Sequence, residues 1–207
     1  MSTHPRAVGL LLRLNAKSFE PINALRSKFP AARHPKQKDD PQRPLFPVIS
    51  LFHTLPGTNL PNLQAKVSKL AAVRKPWTIK VGAPVIFPSR QHELYGFGFQ
   101  LPAEEILQLR RDLYEELSEE IKAVDPEGVS KKFAFRTKTT AWLSIRHSNS
   151  GVPKEKALEV LRQLEREYPN GFGNIVAEGF ALQEHATPGR MRISEELMKG
   201  DFPFGAK

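Results

Sequence analysis

Two short stretches of this chain place the same residue types at the same spacing. Pro47 to Thr54 reads PVISLFHT, and Ala141 to Ser148 reads AWLSIRHS. The shared pattern is a small or imino residue, a bulky apolar residue, an aliphatic, Ser, an aliphatic, any residue, His, then Thr or Ser. Ser50 and Ser144 can each donate a hydrogen bond to an anion such as a phosphate oxygen. His53 and His147 are of the type that titrates near neutrality, so a matched pair could serve as general acid and base. Arg146 could grip a phosphate through two parallel N–H donors. Phe52 and Trp142 are flat enough to stack on a nucleobase. Arg136 and Lys138, just ahead of the second stretch, add positive charge.

Strand parity divides these residues between two faces. Alternate residues of a strand point to opposite sides of the sheet. Strict alternation therefore puts Val48, Ser50 and Phe52 on one face, and Trp142, Ser144 and Arg146 on the matching face of the second copy. Ile49, Leu51 and His53 point the other way, as do Leu143, Ile145 and His147. The aliphatics mark that second set as the face packed on helices. The serines then belong to an open face, and the two histidines to the covered one unless a bulge re-aims them.

The elements that must hold these stretches repeat as well. Each copy runs into a Gly/Pro turn, then a helix, then another strand, which is the signature of an internal duplication. The first copy is a strand over Phe46–His53, a helix over Asn62–Val73 and a strand over Trp77–Val81. The second is a strand over Thr139–Arg146, a helix over Lys154–Tyr168 and a strand over Ile175–Gln183. Around them, Ala7–Leu14 reads as a buried strand, Lys17–Phe29 as a short helix, Val85–Phe87 and Leu94–Leu101 as strands, and Ala103–Val124 as the longest helix. The alternation of Gly with large apolar residues in LYGFGFQL marks a strand with close neighbours. Such a plan predicts an α+β fold of two pseudo-twofold-related lobes, each an antiparallel sheet packed with helices, around a central cleft. One domain spans 1–207. Its basic, proline-rich segment 30–45 is expected to be a flexible loop. The tail 185–207 is expected to be irregular, anchored by Phe202 and Phe204.

Composition narrows the chemistry. The 207 residues include no cysteine, so disulfides and thiolate catalysis are excluded. The formal net charge of +9 favours anionic partners such as nucleic acid or nucleotides. No apolar stretch has transmembrane length, and no spacing suggests a metal site or a cofactor. Glu115, Glu116, Glu119 and Glu120 read as a solvated helix face. Arg6, Arg13 and Lys17 all precede Glu20, the first acid, as in a mitochondrial presequence. An ordinary first strand explains the same residues, so the expected compartment is cytoplasmic or nuclear.

The duplicated plan resembles the 2H phosphoesterase (2′-5′ RNA ligase-like) family from Val8 to about Gln183. That family carries a Pro-His-apolar-Thr/Ser-apolar strand in each lobe. Some members also have a Thr-Leu-Phe-His-x-Leu-Pro-Gly run, similar to Ser50-Leu51-Phe52-His53-Thr54-Leu55-Pro56-Gly57, and a tail like Phe202-Pro203-Phe204. The resemblance implies that the two strands face one cleft. There the family's histidines exchange protons on a 2′,3′-cyclic phosphate or 2′-5′ linkage, and its hydroxyl residues hold the phosphate. This chain departs from the pattern at both histidines, with Val48 and Trp142 in their places. The resemblance therefore implies a catalytically inactive relative, a pseudoenzyme that binds RNA or a nucleotide phosphate in the cleft through Ser50, Ser144 and Arg146. Two other readings stay open. One is an active, metal-independent cyclic phosphodiesterase using His53 and His147. The other is a scaffold that acts through a protein partner, its cleft filled by Val48, Phe52 and Trp142.

Overall fold

The computed structural model describes residues 7–29, 48–56, 60–89, 93–124, 141–146, 151–184 and 198–205. Strand β1 (Ala7–Leu14) buries Val8, Leu10, Leu12 and Leu14 in the main core, while Leu11 is equally covered on the opposite face. A strand covered on both sides reads as an apolar run rather than an alternation. Asn15 ends it and starts helix α1 (Ala16–Lys28), its side chain accepting the Ser18 N–H at 2.9 Å. Ser18 in turn accepts the Val176 N–H at 2.8 Å, which fastens the helix to the sheet.

The remaining elements follow in order. They are β2 (Val48–Pro56), α2 (Leu60–Ala72), β3 (Trp77–Val81), β4 (Pro84–Pro88), β5 (Tyr95–Gln100), α3 (Ala103–Glu116), α4 (Ser118–Val124), β6 (Trp142–Arg146), α5 (Lys154–Glu167), β7 (Gly173–Glu184) and β8 (Met198–Pro203). One antiparallel sheet has the order β2-β1-β7-β3, with β8 also on β7, and the other has the order β4-β5-β6. The fold is α+β, two lobes of sheet and helix around a central cleft.

The register exposes the duplication directly. The run β1-α1-β2-α2-β3/β4 is repeated as β5-α3/α4-β6-α5-β7, the long β7 matching β3 and β4 together. Leu11 stands between Ser50 and Ala181, and Gly98 stands between Ser144 and Val85. Counting the same distance back from Val85 and from Ala181 makes Ile79 the counterpart of Ile175. Those two are each other's ladder partners in the β3–β7 pair, and both are fully buried. The pseudo-twofold axis therefore passes between them.

Two expectations are corrected. The long helix over Ala103–Val124 is broken at Leu117, which turns into the core with no exposed surface and donates its N–H to the Leu113 carbonyl at 3.0 Å. The tail expected to be irregular from 185 contains strand β8, which adds to the edge of β7 beyond β3. Its anchor is Phe204, 5% exposed, stacked on Trp77 at 5.6 Å and edge-on to Phe180 at 5.0 Å. The segment 30–45 lies outside the described residues, as does 185–197.

Helices α2 and α4 are tied by Lys66, whose ammonium lies 2.8 Å from Glu120 and 3.0 Å from Glu119. Hydrogen bonding to Lys66 holds the Glu119 carboxyl below its usual range. A carboxyl depressed in the folded state stabilises the fold above its unfolded pKa, and that gain is lost as pH falls through the folded value. Lys66→Met should therefore flatten the loss of stability on the acid side, a small effect for so exposed a group. Urea titrations from neutral pH down to about pH 3 would check it, and parallel curves for the two proteins would refute it.

Candidate functional site

The site begins with an irregularity in each motif strand. In β6, Trp142, Leu143 and Ser144 pair with Gln100, Phe99 and Gly98, but the next partner, Phe97, takes Arg146. One residue of β6 is therefore extra, a β-bulge directly after Ser144. In β2, Val48, Ile49 and Ser50 pair with Arg13, Leu12 and Leu11, and the next partner, Leu10, takes Phe52. The bulge falls after the serine in both copies.

These bulges correct the strict alternation expected from sequence. Directly opposed residues share a face of the sheet. Arg146 stands opposite Phe97 and so joins Leu143 and Ile145 on the core face, where all three are buried. Trp142 and Ser144 remain on the other face, with Trp142 40% exposed. Burial holds the Arg146 guanidinium below its ordinary pKa. In β2, Phe52 takes the register position opposite Leu10 and not one on the side of Ser50. Two residues expected in the cleft with the serines, Arg146 and Phe52, thus stand at positions on the opposite side.

On the inner face of the second lobe, two aromatic rings meet across β5. Phe87 of β4 stands opposite Gly96, and Trp142 of β6 stands opposite Gln100. Their rings stack at 4.8 Å with planes 9° apart. The intervening β5 positions on this face are Gly96 and Gly98, which offer no side chain to hold the rings apart. Gly98 has a second reason to lack one. A Cβ there would run into the Leu143 carbonyl oxygen, with the Ile145 nitrogen at 3.1 Å, because the bulge draws β6 over it. The carbonyl of Ser144 accepts a 2.8 Å hydrogen bond from Arg26 of α1. Burial lowers the pKa of that guanidinium.

The first lobe differs. Arg13, opposite Val48, is held by Glu178 at 2.6 Å and 3.1 Å and by Asp201 of β8. Partial burial draws its pKa down, but the hydrogen bonds to Asp201 and Glu178 outweigh this and raise it. Two carboxylates around one guanidinium offset the charge of Arg13 itself. Leu11 and Ala181 on the same face are 1% and 2% exposed.

Of the other residues singled out from sequence, Val48 and Ser50 have register positions in β2, and His53 lies in that strand within the irregular stretch between the partners of Leu10 and Val8. Arg136, Lys138 and His147 lie outside the described residues. The sequence reading missed Phe87, Gln100 and Arg13. The glycine alternation in β5 was the available signal for Phe87 and Gln100, since it marks where neighbouring side chains close over a strand; Arg13 had none of this kind. Among the described residues no group of three or more His, Asp and Glu is placed to hold a metal ion. No helix among them is long and apolar enough to cross a membrane.

No protein-family model and no curated protein matches the sequence. Solved structures do match over nearly the whole chain. TT0787 of Thermus thermophilus is similar over 97% of this chain and 100% of its own, at 15% identity and a TM-score of 0.55. E. coli LigT in apo form is similar over 99% of this chain and 100% of its own, at 13% identity and a TM-score of 0.52. Its complex with NADP+ gives 14% identity, coverage of 99% and 100%, and a TM-score of 0.53. LigT and TT0787 have the 2H phosphoesterase fold, and this chain has it too.

Proposed function

We propose that the chain is a degenerate member of the 2H phosphoesterase superfamily that binds a nucleotide or RNA phosphate in its inter-lobe cleft without hydrolysing it. One observation carries the reading. At the two register-matched positions where a proton-transferring group is needed, two residues before each serine, stand Val48 and Trp142. Neither side chain transfers protons, and each missing acid or base costs a factor of about 10² to 10⁴ in rate. Ser50 and Ser144 keep matched positions beside β1 and β5 and supply hydroxyl donors for phosphate oxygens. The formal net charge of +9 favours an anionic ligand. LigT, which shares the fold, is known in complex with ATP and with NADP+, both nucleotide phosphates. In this reading the protein works in the cytoplasm or nucleus.

Calorimetric titration with AMP and with a short RNA tests it. Ser50→Ala together with Ser144→Ala should weaken both affinities by about tenfold or more, since hydrogen bonds to charged groups are each worth about 1.5–3 kcal/mol. Unchanged affinity would remove the serines from the site. A second reading draws on the covered apolar residues of the inner face, Leu11, Ala181 and Phe87. They suit a filled cleft in a scaffold with a protein partner, and that reading predicts no heat with either ligand.

A further inference from the structure

The two ends of the cleft are unlike, and the difference points to how a ligand lies in it. At the first-lobe end, Arg13 is already engaged by Glu178 and Asp201. At the second-lobe end there is an aromatic platform and an amide. Stacking on Phe87 covers one face of the Trp142 indole, and the residue as a whole is still 40% exposed. Apart from Val73, it is the only large hydrophobic residue exposed among the described residues. An indole held by a stacked ring on one side, in a residue that is still exposed, offers a stacking surface whose orientation is set before a ligand arrives.

Gln100 stands directly opposite Trp142 on the same face. Its backbone is fully used: the N–H goes to the Ala83 carbonyl at 2.9 Å, and the carbonyl accepts from Gly82 at 2.7 Å. Its side chain is exposed and makes no hydrogen bond to any described residue. A carboxamide presents one donor and one acceptor side by side, which matches the N6 amino group and N7 of adenine. Guanine offers two acceptors on that edge and calls for a guanidinium or ammonium instead. The bulge has turned Arg146, the nearest candidate on this strand, to the core face.

We propose that Trp142 and Gln100 form an adenine-reading subsite, with the base stacked on the indole, its N6/N7 edge on the Gln100 amide and its phosphate toward Ser144. Ser144 lies two residues from Trp142 on the same face, about 6.6 Å away along the strand, within the reach of one nucleotide. The subsite rests on the reading that the cleft binds a nucleotide phosphate. It exists here because Trp142 has replaced a proton-transferring side chain: the substitution that silences chemistry supplies the platform.

The experiment titrates the native protein with AMP, GMP, CMP, UMP, adenosine and ribose 5-phosphate, following heat and tryptophan fluorescence. AMP should bind about tenfold or more tighter than the other nucleotides and should quench fluorescence. Gln100→Ala should bring AMP down to the level of GMP while leaving ribose 5-phosphate unchanged. Trp142→Ala should weaken all four nucleotides by about tenfold and again spare ribose 5-phosphate. Equal binding of the four nucleotides, unaltered by Gln100→Ala, would overturn the adenine subsite and leave the phosphate reading standing. Adenosine binding as tightly as AMP would do the reverse. No binding by any of the six would overturn both.

Discussion

Replacing Val48 and Trp142 together by histidine should raise hydrolysis of a 2′,3′-cyclic nucleotide at least about 10²-fold above the native protein, while either replacement alone should stay near the native level. Opening a cyclic phosphate needs one group to take a proton from the attacking water and another to give one to the leaving oxygen. The native chain offers neither at the matched positions beside β1 and β5. A single histidine supplies half of the exchange, so the gain is non-additive. The double variant should also show a bell-shaped pH–rate profile, since one imidazole must be neutral and the other protonated. Trp142→His removes the stack on Phe87, so the melting transition must be recorded alongside activity. A folded but inert double variant would mean that these positions do not face the reacting phosphate. Native turnover that disappears on His53→Ala would sink the silent-cleft reading from the other side and install the His53/His147 pair.

Most of the fold was legible because apolar patterning and duplication report on backbone geometry. β1 and β3 begin and end where the sequence places them, and α2 and α5 fall within two residues of expectation. What misled was parity. Period-two alternation holds only while the ladder is regular, and a single extra residue inverts everything beyond it. Ser144-Ile145-Arg146 reads as in–out–in, but the bulge moves Arg146 to the face of Leu143. No local residue signals this, because neither Ile145 nor Leu51 is a glycine or a turn former. The signal lies across the sheet, in the glycines of β5, and becomes readable once β5 and β6 are known to pair. β8 escaped for a related reason. Its MKGDFP sequence has little strand propensity of its own, and it is held by the edge of β7 and by Phe204.

The second large effect follows from that pairing. Gly98→Ala should destabilise the protein by about 1–3 kcal/mol, the usual cost of forcing extra volume into a packed site. The added methyl would meet the Leu143 carbonyl, whose carbon lies 3.0 Å away, and the Ile145 nitrogen at 3.1 Å. These are backbone atoms of the bulge and cannot rotate aside as the end of a side chain would. Two opposing terms can be compared. Removing a glycine restricts the unfolded chain and by itself stabilises by about 0.4–1 kcal/mol, less than the cost of moving a buried strand. Gly82 is the internal control: a Cβ there meets its nearest neighbour at 3.5 Å, an ordinary contact, so Gly82→Ala should be neutral or slightly stabilising. Chemical denaturation of the two variants measures the difference. At this chain length the Gly98 variant should melt roughly 2–4 °C lower for each kcal/mol lost. Because the bulge fixes which side of β6 carries Trp142 and Ser144, the same variant should also loosen the Phe87–Trp142 stack and lower the near-ultraviolet circular dichroism of the folded state. A Gly98→Ala protein as stable as the Gly82→Ala protein, with an unchanged aromatic signal, would mean that β6 does not bulge over β5, and the assignment of Arg146 to the core face would fall with it.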